Sequence, residues 1–182
     1  MASTEPAVMT VELAAGEGAM HLRWDPGPPE GGAADSRTSS WKLESEPDWR
    51  RLESLSLISA RFDDGGALGL AGLRPRGARG HGDDVVIARL VDAEGQETTT
   101  SDALVSVEYD ADGQPRRLGV ELWSDPDSAP VRVAADREGA FETGVDAGRD
   151  AVPMTFRRDG IAGSGRYEIM RPDGAWRWRS RR

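Results

Sequence analysis

Asp159-Gly160-Ile161-Ala162-Gly163-Ser164-Gly165-Arg166-Tyr167-Glu168-Ile169-Met170-Arg171-Pro172-Asp173-Gly174 is the stretch on which the reading of this chain turns. It has the pattern of a closing strand. Glycine inside a strand weakens it and marks a bulge, a corner or a close approach by another group. Side chains alternate along a strand, so Glu168 points away from both Tyr167 and Ile169. In a closed barrel one of those two faces is the lumen, which makes this lone carboxylate the first candidate for chemistry.

Working outward, strand patterns recur with turn residues between them. Ser54–Phe62 and Ala67–Arg74 flank Asp63-Asp64-Gly65-Gly66 as a hairpin. Val85–Asp92 turns through Ala93-Glu94-Gly95 into Gln96–Ser101. Leu104–Tyr109 and Arg116–Trp123 flank Asp110-Ala111-Asp112-Gly113. Val131–Ala134, Val152–Arg157 and Ile161–Met170 follow, with Ala175–Arg179 last; Ala19–Trp24 and Arg37–Leu43 precede them. Val105, Val107 and Tyr109 share one face, as do Leu118, Val120 and Leu122. About ten short antiparallel strands without a long helical pattern predict an all-β fold, a single antiparallel β-barrel, with a β-sandwich as the alternative. A closed barrel is preferred because it exposes no sheet edge.

The chain has 182 residues, 22 glycines, 11 prolines and a net charge of −9. That length fits one domain, expected over 19–182, preceded by an arm over 1–18. In the arm, Val8, Met9, Val11 and Leu13 are enough to cover a barrel mouth as a lid that orders on a ligand; a first strand and a plain disordered tail are the alternatives. The acidic balance argues against a nucleic-acid partner. No apolar run approaches the roughly 20 residues of a membrane helix, and no signal peptide is visible, so a cytoplasmic protein is expected.

Whole classes of chemistry fall away. The chain has no cysteine, and its two histidines, His21 and His81, are far apart, so no metal site and no Ser-His-Asp triad is expected. No Walker loop is present, and Gly163-Ser164-Gly165 opens no helix, which makes nucleotide binding improbable. No cofactor is implied. What is left is carboxylate acid–base chemistry, or catalysis by shape and hydrogen bonding.

Ser54–Gly82, around Ile58-Ser59-Ala60-Arg61-Phe62-Asp63-Asp64-Gly65, resembles the middle of calycin-like proteins of the AttH and hydroxyneurosporene-synthase-like superfamily. Gly163-Ser164-Gly165-Arg166-Tyr167-Glu168 resembles that group's closing strand. Ser40-Trp41 and Pro47-Asp48-Trp49 resemble a region with a His-Ser-Trp and a second tryptophan, except that Ser39 stands in the histidine's place and Lys42 in a glycine's. The larger members have two lipocalin-like halves, and this chain is long enough for one. Relatives include carotenoid hydratases and cyclases that catalyse [4+2] cycloadditions. Small bacterial β-barrel Diels-Alderases of spirotetramate and spirotetronate biosynthesis are similar in size and architecture.

The resemblance implies a calycin-type barrel that binds a hydrophobic small molecule and cyclises a linear polyketide-derived polyene. A hydratase or isomerase with Glu168 as proton donor, and a carrier without turnover, are the alternatives. Trp41 and Trp123 are the tryptophans expected to face a ligand, with Met9 and Val11 contributed by the lid. Glu168 is a ligand anchor or the partner of a buried arginine such as Arg61, since buried charges are usually paired. Arg61 would alternatively orient an acidic ring through its fork of donors. Glu121 shares Trp123's face, toward ligand or solvent. Tyr109 and Tyr167 would donate to a carbonyl or, preferably, pack in the core.

Overall fold

A continuous small and apolar run, Ala67-Leu68-Gly69-Leu70-Ala71-Gly72-Leu73, is buried on both of its faces, and this organises the molecule. A strand can be apolar throughout only when both sides are covered. In the computed structural model, which describes residues 7–12, 19–26, 40–145 and 149–172, two sheets provide that cover.

The larger sheet contains β4 (Leu52–Phe62), β5 (Ala67–Pro75), β6 (Val85–Val91), β7 (Glu97–Thr100), β8 (Ala103–Tyr109), β9 (Pro115–Leu122), β10 (Val131–Arg137), β12 (Arg149–Arg158) and β13 (Ile161–Met170). They run antiparallel in the order β7-β6-β5-β4-β13-β12-β10-β9-β8, and β11 (Glu142–Val145) pairs with β12. The sheet curls through 248°, a calycin-like barrel that stops short of closure. Strands β6 and β8 approach across the gap without pairing.

A three-stranded sheet of β1 (Ala7–Glu12), β2 (Ala19–Trp24) and β3 (Trp41–Leu43) packs on the outside of β4, β5 and β6. Two apolar cores result. Ile58, Leu68, Leu118, Val133, Phe156 and Tyr167 belong to the core inside the barrel. Met9, Val11, Trp24, Trp41, Leu57 and Leu73 belong to the core between the sheets. On the other half of the barrel the outer face is solvated, and cross-strand ion pairs cover it: Arg117 and Arg157 with Asp136, and Arg132 with Glu121.

The glycines of the closing strand have a steric cause. A Cβ on Gly163 would overlap the carbonyl of Arg61, and one on Gly165 that of Ser59, so β13 can cross β4 closely only without side chains there. Asp159 and Gly160 turn β12 into β13 with φ of 50° and 82°, the left-handed pair that a two-residue hairpin requires.

Most expected strands are present within a residue or two of their predicted ends. Strand β11 was not anticipated, and the segment expected as a strand at Ala175–Arg179 lies outside the described residues. Of the N-terminal arm, residues 7–12 form β1, whose Met9 and Val11 are buried between the sheets; 1–6 and 13–18 lie outside the described residues. No described helix is long and apolar enough to cross a membrane.

Candidate functional site

Side-chain size along β4 and β5 decides where the barrel is hollow. On the inner face at one end, Phe62, Leu68 and Leu70 meet Phe156, and the space is filled. Arg158 closes that end: it lies 4.6 Å over the Phe62 ring and donates to Asp64 at 2.6 Å. Toward the other end the same inner positions carry Ser54, Ser56 and Gly72. These small residues leave a cavity of about 520 Å³ between the starts of β4 and β6, the end of β13 and the edge strand β8. That volume falls within the roughly 300–1,000 Å³ of small-molecule sites.

The cavity has an apolar floor and a charged rim. Val86, Val105, Val107 and Ile169 supply the floor, and Leu104 and Tyr109 are its large exposed apolar groups. On the rim, Arg74 donates from one nitrogen to both oxygens of Asp84, at 3.0 and 3.2 Å. Glu53 stands 3.6 Å from the same guanidinium, and His81 Nδ1 lies 3.5 Å from Asp84. Arg79 and Arg171 complete the rim.

Two phenols line this cavity. Tyr167 is buried, and loss of water around it, with Tyr109 nearby, raises its pKa; Arg171 opposes the shift. Tyr109 is 37% exposed, yet desolvation raises its pKa too, with Arg171 and Arg74 opposing. Both are therefore protonated donors at neutral pH.

Of the residues singled out in the sequence, Tyr109 and Tyr167 come together here. The others lie elsewhere. Glu168, Trp41, Met9 and Val11 gather between the two sheets, on the outer face of the barrel. The expectation that a lumen-facing side would carry Glu168 is corrected on this point: Tyr167 and Ile169 take the inside, so alternation sends Glu168 outward. There it lies 3.8 Å from Arg149, both side chains being at most 4% exposed. Arg149 also donates to the Trp41 carbonyl at 3.0 Å, and the Trp41 indole donates to the Ile58 carbonyl at 2.9 Å while stacking on Trp24.

Arg61 is likewise not in the cavity, and the buried arginine that faces Glu168 is Arg149. The Arg61 guanidinium donates to the Pro26 carbonyl just beyond β2, and burial lowers its pKa against the pull of Asp25. Glu121 is on the outer face of β9, 2.8 Å from Arg132. Trp123, just beyond β9, is half-buried and held through its backbone: its N–H donates to Asp102 at 3.0 Å and its carbonyl accepts from Thr100 at 2.6 Å.

The sequence reading missed Ser54, Ser56, Gly72, Arg74 and Arg171. A signal was present: Ser54 and Ser56 continue the inner face of Ile58, Ala60 and Phe62, so bulk falls away at one end of a strand.

An open antiparallel sheet coiled round a ligand-sized hollow defines the class as a calycin-like β-barrel. The chain is similar to the crystal structure of a putative AttH from Nitrosomonas europaea, with a TM-score of 0.52 and 22% identity over 71% of this chain. It spans 42% of that protein's length, so the likeness concerns the fold of one part of it. No family model and no curated protein matches the chain.

Proposed function

We propose that this protein binds an elongated, largely apolar small molecule in the open end of its barrel and promotes its intramolecular cyclisation, a [4+2] cycloaddition of a polyketide-derived polyene. The observation that carries the proposal is the hollow of about 520 Å³ with an apolar floor and the Tyr109 and Tyr167 phenols. Such a reaction needs no nucleophile. Holding diene and dienophile together removes several kcal/mol of entropic barrier, and a phenol donating to a dienophile carbonyl adds electrostatic stabilisation. In this reading Tyr109 and Tyr167 orient the carbonyl, and the cytoplasmic setting expected from the sequence belongs to the same proposal.

A carrier without turnover is the second reading. It is favoured by one observation: the carboxylates that line the cavity, Glu53 and Asp84, both engage Arg74 on the rim. A hydratase driven by Glu168 has little support, because that side chain lies on the opposite face of β13 from the cavity.

Incubation with linear polyene tetramates or tetronates, followed by mass analysis, separates these readings. An isomeric product of unchanged mass, lost in the Tyr109→Phe/Tyr167→Phe double variant, supports the cyclase. Ligand recovered unaltered after saturable binding supports the carrier and overturns the cyclase.

A further inference from the structure

The rim of the cavity carries a charge opposite to that of the protein. The chain's net charge is −9, yet among the described residues Arg74, Arg79 and Arg171 border the opening against Glu53 and Asp84. Both carboxylates converge on Arg74. Arg171 and Arg79 bring two further positive charges to the same rim. A cationic mouth on an anionic body concentrates anions at that point.

The inner lining completes the pattern. Arg171 follows directly after β13, the strand that presents Tyr167 to the cavity, and Tyr109 faces them from the end of β8. Arg171 acts electrostatically on both phenols. A guanidinium offers a planar fork of donors and each protonated phenol one more, the donor set that a pair of carboxylate oxygens accepts. Beyond them lie Val105, Val107 and Ile169, which suit a hydrocarbon chain.

Accepting the cavity as the binding site, we infer that its ligand is an apolar chain ending in a carboxylate-type head, with the head seated against Arg171, Tyr109 and Tyr167 and the chain running along the valine-lined floor. Neutral and cationic heads on the same chain are discriminated against.

Cis-parinaric acid, a fluorescent linear tetraene carboxylate, and its methyl ester are the probes. Fluorescence titration of the full chain is expected to give the acid at least about tenfold tighter binding than the ester, equivalent to about 1.4 kcal/mol. Arg171→Gln is expected to bring the two within about twofold by weakening the acid alone. Tyr109→Phe, a milder change at a half-exposed position, is expected to weaken the acid about three- to fivefold, the worth of one partly solvated hydrogen bond, and to weaken the ester, whose carbonyl is the poorer acceptor, by less. Equal affinity for acid and ester in the unaltered protein, or equal weakening of both by Arg171→Gln, overturns the head-group inference while the cavity reading stands. Failure of both probes to bind overturns the two together.

Discussion

Arg149 and Glu168 lie 3.8 Å apart, buried beneath the β1-β2-β3 sheet, and Arg149 also holds the Trp41 carbonyl of β3. This pair joins the small sheet to the barrel. Removing one partner strands the other in a poorly solvated place, at a cost of about 3–5 kcal/mol. Glu168→Ala is therefore expected to lower the urea midpoint sharply. Parinarate affinity, measured under conditions where the variant remains folded, is expected to change less than about twofold. Lost binding with unchanged stability would return Glu168 to the site.

Trp24 rests on Gly69. A Cβ at that position would overlap the indole, so Gly69→Ala forces Trp24 off the outer face of β5. Overpacking of this kind costs about 1–3 kcal/mol. The loss is expected in chemical denaturation, with a changed tryptophan emission because Trp24 stacks on Trp41.

Tyr167 gives stability a dependence on alkaline pH. Burial raises its pKa in the folded state above the unfolded value of about 10. Its contribution is therefore complete below about pH 10 and is lost as pH rises beyond that, when the unfolded chain ionises first. Tyr167→Phe is expected to flatten the fall in stability between about pH 9 and about pH 11, followed by urea titrations across that range.

The filled end of the barrel is held by Asp64, which accepts from both Arg158 at 2.6 Å and the Gly66 N–H at 2.9 Å. Asp64→Ala is expected to cost about 2–3 kcal/mol, because Arg158 is left buried over Phe62. Ligand affinity, measured by parinarate titration, is expected to stay within about twofold, since the cavity opens at the opposite end.

Physical causes separate what was legible in the sequence from what was not. The hairpins could be read because they rest on local chemistry. Asp92 and Asp110 each accept backbone N–H bonds from residues two and four further on. The strict alternation of β8 and β9 likewise follows from one wet face and one dry one. The outer sheet was harder. Only the unbroken apolar run of β5 announces a second covered face, and nothing local says that β1, β2 and β3 supply it. Glu168 was correctly set opposite Tyr167, but which face was the lumen depended on how the sheet curls. The cavity itself is a long-range property, made by Ser54, Ser56 and Gly72 meeting Val105 and Tyr167 from distant parts of the chain.

The most direct test of the account is a backbone amide shift map of the isotopically labelled protein, titrated with cis-parinaric acid. The account predicts saturating changes at Ser54–Ser56, Gly72, Val105–Tyr109 and Tyr167–Arg171, with those of the last segment strongest at Tyr167 and Arg171. Changes centred on Trp24, Trp41 and Arg149, between the sheets, with the cavity residues silent, would contradict it.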